Sequence, residues 1–99
     1  MSVITLPPPG PAGHPTFGSR PEKTIEFTVE NLPDNDYTLI REAVVLNKTT
    51  GDSRTERDPT DIDFMIDIPL QRNADNAISV QVRDINDRII THTFTIQVR

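Results

Sequence analysis

Acidic residues and asparagines are concentrated in the turn-like segments of this 99-residue chain. Asp34 and Asp36 lie in one such segment, and Asp84 and Asp87 lie in another. Together their oxygens could bind Ca²⁺, which takes roughly six to eight oxygen ligands. Asp and Asn are also the residues that turns favour, because their side chains hydrogen-bond to the nearby backbone. We therefore expect turn chemistry at these positions, with calcium as the weaker alternative, and we predict no cofactor.

Other chemistry is harder to assemble from these residues. His14 and His92 are far apart, and His92 falls on the inward phase of the last predicted strand, which predicts a hydrogen-bonded histidine at the edge of the core. The few serines and the acids fall at turns or outward positions, so no Ser-His-Asp triad is indicated. Residues 47–49, Asn-Lys-Thr, form a glycosylation sequon, which matters only in a secreted eukaryotic protein. The sequence predicts a binding or structural module and not an enzyme.

Composition narrows the range of partners. Ninety-nine residues fit one small domain, and the net charge of -5 argues against binding to a phosphate backbone, so no nucleic-acid partner is expected. There is no cysteine for a disulfide or a thiolate metal site. No apolar stretch approaches the length of a membrane span, and no signal peptide is recognisable. We expect no membrane insertion and a protein that either stays where it is made or reaches its site of action by assembly.

Residues 1–21 differ in composition from the rest of the chain. They contain six of the nine prolines and three of the four glycines, which excludes a helix or a central strand and favours an extended, polyproline-like arm. One interpretation is a flexible tether. The other is a docking arm, in which an apolar patch is followed by a rigid spacer. The predicted docking residues are Val3, Ile4, Leu6, Pro7, Pro8, Pro9 and Phe17.

From Thr24 onward apolar and polar residues alternate, as in half-buried strands. The segment 37–47 could also form a helix, but its β-branched residues and the turn that follows favour a strand. In the last strand Phe94 and its even-numbered neighbours are expected to face the core, and Asp61, Asp63 and Asp67 form an acidic outward stripe on an exposed sheet. That stripe discourages edge pairing or, less often, forms a partner surface. The predicted strands are 24–30, 37–47, 53–57, 61–69, 76–84 and 88–99.

The C-terminal third carries a recognisable pattern. A strand ends in Pro69-Leu70, an Asn-x-Ile-x-Val strand follows at 76–80, and an Asp-rich turn at 84–87 leads into a Thr-rich final strand. This pattern resembles the end of bacterial and phage immunoglobulin-like domains, although Asp87-Arg88 replaces the usual Gly-Asn pair of the turn. The resemblance implies an all-β, Ig-like antiparallel β-sandwich of about seven strands over residues 22–99, with the arm 1–21 extended. It also implies that three of the loops share one end of the sandwich.

The resemblance implies a non-enzymatic role. In one reading the chain is a virion structural or accessory protein, namely a phage decoration, head or tail protein. It would dock onto capsid or tail subunits through its arm, be oligomeric in that assembly, and display a domain that could contact host-surface glycans. In the alternative reading it is an Ig-like spacer or carbohydrate-binding domain of a bacterial surface adhesin or enzyme, located at the bacterial cell surface. Fold alone does not decide between them.

Overall fold

The chain forms an all-β structure in the computed structural model, which describes residues 2–5 and 21–98, with side chains from residue 21 onward. Within these residues there is no α-helix, and two short 3-10 turns, Pro33–Asn35 and Tyr37–Leu39, lie between the second and third strands. The strands of the described residues are β1 (Ser2–Thr5), β2 (Glu22–Glu30), β3 (Ile40–Asn47), β4 (Ser53–Arg57), β5 (Asp63–Pro69), β6 (Ala74–Asp84) and β7 (Ile89–Val98).

The strands form two sheets in which all neighbours are antiparallel. The first sheet has the order β1-β2-β5, and the second has the order β4-β3-β6-β7. The short polar strand β4 pairs with β3 at the edge of the second sheet, and all of its residues are exposed. The prediction of an all-β fold built from antiparallel strands is confirmed, and so is the edge position of 53–57.

The core lies between the two sheets and follows the two-residue alternation of the sequence. On β2 and β5 the inward residues are buried while the intervening Thr and Asp residues face solvent. Phe27 and Phe64 lie opposite each other in the register and stack, with ring centroids 4.8 Å apart and planes inclined by 3°. The buried core residues are Ile25, Phe27, Val29, Leu32, Ile40, Ala43, Val45, Phe64, Ile66, Ile68, Leu70, Ile78, Val80, Val82 and Ile96.

Strand β3 confirms the strand interpretation of its segment but begins later than predicted. Residues 37–39 form a 3-10 turn, because the Asp36 carboxylate accepts a hydrogen bond from the Thr38 amide and holds the chain in that turn. A bulge between Ile40 and Glu42 then changes the side-chain phase. The bulge explains why Ile40 and Ala43 are both buried although they are three positions apart, an odd spacing that would place them on opposite faces of a regular strand.

Strand β7 has the predicted inward phase but not the predicted burial. Phe94 lies opposite Ile78 and His92 lies opposite Val80, both of which are core residues. Phe94 is nevertheless only half-buried, and His92 is exposed. The expectation of a histidine at the edge of the core is therefore wrong. In the described part of the chain β7 hydrogen-bonds to a neighbouring strand on one side only, and β1 of the facing sheet contacts it without pairing with it.

The first residues of the predicted arm form a strand of the domain itself. Ser2–Thr5 pair with β2, and Val3 takes the register position opposite Val29. These residues precede the first proline, so each keeps the backbone N–H that a sheet ladder requires. The prediction of a separate extended arm over residues 1–21 is therefore corrected at residues 2–5, which belong to the first sheet. Leu6, Pro7, Pro8, Pro9 and Phe17 lie outside the described residues.

Candidate functional site

Three loops meet at one end of the sandwich. The Ile85 amide donates to the Leu39 carbonyl at 3.0 Å, which joins the β6–β7 turn to the β2–β3 connection. The Asp58 amide donates to the Arg41 carbonyl at 3.1 Å, which brings in the β4–β5 loop. These loops contain five of the chain's ten aspartates, and Asp84 lies beside them at the end of β6, so this end of the molecule is the candidate site.

Two of the four carboxylates of the calcium candidate, those of Asp36 and Asp84, hold turns. Asp36 accepts from the Thr38 amide at 3.0 Å, and Asp84 accepts from the amides of Asn86 and Arg88, both at 2.9 Å. Asp34 and Asp87 adopt left-handed backbone conformations, with φ of 54° and 61°, which short polar residues tolerate best. Among the residues that the structure describes, no group of three or more His, Asp or Glu residues could hold a metal ion. The geometry supports the turn interpretation.

The same end holds a charge network that the sequence did not predict. Glu42 accepts a hydrogen bond from Arg83 at 2.6 Å and lies 3.5 Å from Arg57. Asp87 pairs with Arg41 at 3.5 Å and with Arg83 at 3.9 Å. Glu42 stands between Arg57 and Arg83 because the register places them on three neighbouring strands. These charges come together only through the strand register, which no local sequence pattern predicts.

The replacement Glu42→Gln is expected to lower the free energy of unfolding by about 1 kcal/mol. The Glu42 side chain is 17% exposed, and the replacement removes the negative charge that lies between Arg57 and Arg83. Urea denaturation at low and high salt measures the effect, which should shrink as salt screens the pair. Glu56→Gln, on the exposed strand β4, is the matched control and should cost less. A Glu42→Gln cost no larger than the control's would contradict this role.

At the opposite end two asparagines are fully buried. The side-chain amide nitrogen of Asn47 donates to the Pro69 carbonyl and to the Asn76 side-chain oxygen, each at 3.0 Å. Its oxygen accepts from the amides of Thr49 and Thr50. Because Pro69 ends β5, this amide connects the two sheets. The residue of the glycosylation sequon is thus closed to modification in the folded domain.

Asn76 completes this buried polar group. Its nitrogen donates to the carbonyls of Gln71, Ala74 and Ile96, at 3.0, 3.2 and 3.3 Å. Its oxygen accepts from the Gln71 amide at 2.7 Å as well as from Asn47. One side chain therefore fixes the β5–β6 turn, the start of β6 and the end of β7. The signal for it was present in the sequence, as a polar residue on the inward phase of a strand.

The outer face of the first sheet is acidic. Asp63 and Asp67 are exposed on β5 and accept hydrogen bonds from Thr28 and Thr24 of the neighbouring strand. Asp61, just before β5, is also exposed. The predicted outward stripe is confirmed, and Met65, which is 70% exposed, lies within it. These carboxylates lie on an exposed face of the sheet and point into solvent instead of into a cleft.

Among the described residues, no helix is long and apolar enough to cross a membrane. Comparison with models of protein families, with curated proteins and with solved structures finds no match.

Proposed function

We propose that this chain is an Ig-like display module. The strand order supports the Ig-like assignment. If β1 is named A, β2 is B, β3 is C, β5 is E, β6 is F and β7 is G, the sheets are A-B-E and C-F-G with β4 added beside C. Immunoglobulin constant domains have the sheets A-B-E-D and C-F-G, and related domains vary this arrangement. Here the fourth strand lies beside C instead of E.

In this proposal the module is a non-enzymatic accessory protein of a phage virion, docked through its proline-rich segment. One observation carries the docking role. The segment 6–20 is flanked by β1 and β2, which pair with each other, and Pro21 accepts a hydrogen bond from the Leu70 amide at 2.8 Å. A proline-rich segment held at both ends loses little conformational entropy on binding, so its apolar residues are suited to dock. The docking residues of this proposal that lie in the segment are Leu6, Pro7, Pro8, Pro9 and Phe17, and the other two, Val3 and Ile4, lie in β1 beside it.

Replacement of residues 6–19 with a Gly/Ser linker of equal length tests this role and keeps β1 in place. We expect an unchanged circular dichroism spectrum and loss of the protein from purified phage particles, measured by quantitative mass spectrometry. The control variant Asp63→Asn changes the acidic face and should be incorporated normally. Normal incorporation of the linker variant would refute docking through this segment. Absence of the wild-type protein from particles, with binding to a glycan array, would favour the adhesin or carbohydrate-binding role instead.

A further inference from the structure

Strand β7 forms a long regular edge of the second sheet. It pairs with β6 at every position from Ile89, opposite Arg83, to Val98, opposite Ala74, without a bulge. In the described part of the chain no strand hydrogen-bonds to its other side, and β1 of the facing sheet contacts β7 without pairing with it. A regular edge of ten residues presents a row of backbone donors and acceptors on which another strand can pair.

The chemistry of this edge differs from that of the opposite edge. Residues 89–98 include no charged residue and no proline, although a quarter of the chain is charged. The opposite edge, β4, is half as long and exposes Arg54, Glu56 and Arg57. Short edges with charged side chains are a common protection against pairing with another chain, and β4 has both features. Strand β7 has neither, which marks it as an edge suited to pairing.

The side chains of β7 are also only partly covered. Ile90 and Phe94 face the core but are only partly buried. On the other face Ile89, which is 52% exposed, lies with the exposed Thr91, Thr93 and Thr95. A strand added beside β7 would therefore need apolar residues on one face and small hydroxyl residues on the other, with no charge on either.

We propose that this edge pairs with β7 of a second copy of the chain, antiparallel about a two-fold axis normal to the sheet. Such pairing makes one continuous eight-stranded sheet across the dimer. Because the axis is normal to the sheet, residues of the same face lie opposite each other in the two β7 strands. Thr then lies opposite Thr and apolar opposite apolar, which favours cross-strand contact. No like charges meet at the seam even though each copy carries a net charge of -5. A second β7 is thus the occupant whose length, alternation and lack of charge fit the edge.

Sedimentation equilibrium across the micromolar range tests the dimer on the full chain. We expect a reversible dimer, and Thr93→Lys should weaken its association at least tenfold because it brings two like charges to the seam. Thr55→Lys is the matched control: it places the same charge on the same outer face, at the opposite edge, and should leave the association unchanged. Circular dichroism checks that both variants stay folded. An effect of Thr55→Lys equal to that of Thr93→Lys would refute the assignment to β7.

Cross-linking locates the seam, since the chain has no cysteine of its own. Of single cysteines placed at Thr91, Thr93 and Thr95, only the one at the two-fold axis should form a disulfide-linked dimer readily under mild oxidation, because the others lie opposite a different residue of the second copy, and Thr55→Cys should form none. A chain that is monomeric throughout this range would overturn the proposal. For such a monomer, slow hydrogen exchange of the β7 amides would indicate that its own 6–20 segment protects the edge. Fast exchange would indicate an edge left for a different protein. The dimer does not depend on the virion role, so either can fail alone.

Discussion

Replacement of Asn76 with alanine is expected to lower the free energy of unfolding by about 3–5 kcal/mol. The side chain is fully buried, and its nitrogen and oxygen make five hydrogen bonds to Gln71, Ala74, Ile96 and Asn47. Alanine removes all of them and leaves the Gln71 amide and several carbonyls without this partner in the interior, where unpaired polar groups are costly. Urea denaturation measures the loss.

The near-isosteric replacement Asn76→Asp separates hydrogen bonding from volume. At neutral pH a buried carboxylate would face three carbonyl oxygens to which the amide now donates, so this variant should be less stable than Asn76→Ala. Protonation at acid pH would remove the charge and return one donor. The difference in stability between Asn76→Asp and Asn76→Ala should therefore narrow as pH falls. Asp75→Asn, on an exposed neighbour, is the control and should change stability little. An Asn76→Asp variant as stable as the wild type at neutral pH would contradict the hydrogen-bonding role.

The fold was predictable wherever one strand faces both the core and water. On β5 the order Phe64, Met65, Ile66, Asp67 fixes which side chains are buried, because a strand alternates its faces at every residue. The position of β3 was less predictable, because the bulge after Ile40 changes the phase and depends on pairing with β6. The alternation gave the inward phase of His92, but its exposure depends on β7 being an edge, which is a property of the whole sheet.

The candidate site was predictable in part for the same reason. Turn residues such as Asp84 act locally, so their role follows from the sequence. The Glu42–Arg83 pair joins residues 41 positions apart, and the Asn47–Asn76 pair joins residues 29 positions apart. Contacts at that separation exist only once the register is set. The two ends of the sandwich therefore differ in a way that composition hides, with surface charges at one and buried amides at the other.

The second large effect is expected at the stacked phenylalanines, where Phe27→Ala should lower the free energy of unfolding by about 3–5 kcal/mol. Phe27 and Phe64 are 1% and 2% exposed, so the variant loses apolar burial and leaves a cavity between the sheets. Phe94→Ala provides the control with the same atoms removed. Because that ring is half-buried at the β7 edge, less apolar area is lost and water can enter the space.

Denaturant titrations of Phe27→Ala, Phe64→Ala and the double variant then test the stack itself. A coupling of about 0.5–1.5 kcal/mol between the two rings is expected, since removal of one leaves the other without its partner. If Phe27→Ala fails to fold, Phe27→Leu keeps most of the volume and should show a smaller loss that remains measurable. A Phe27→Ala cost equal to or below that of Phe94→Ala would place the core elsewhere. The two sheets would then not pack through β2 and β5, and the strand order that supports an Ig-like module would lose its physical basis.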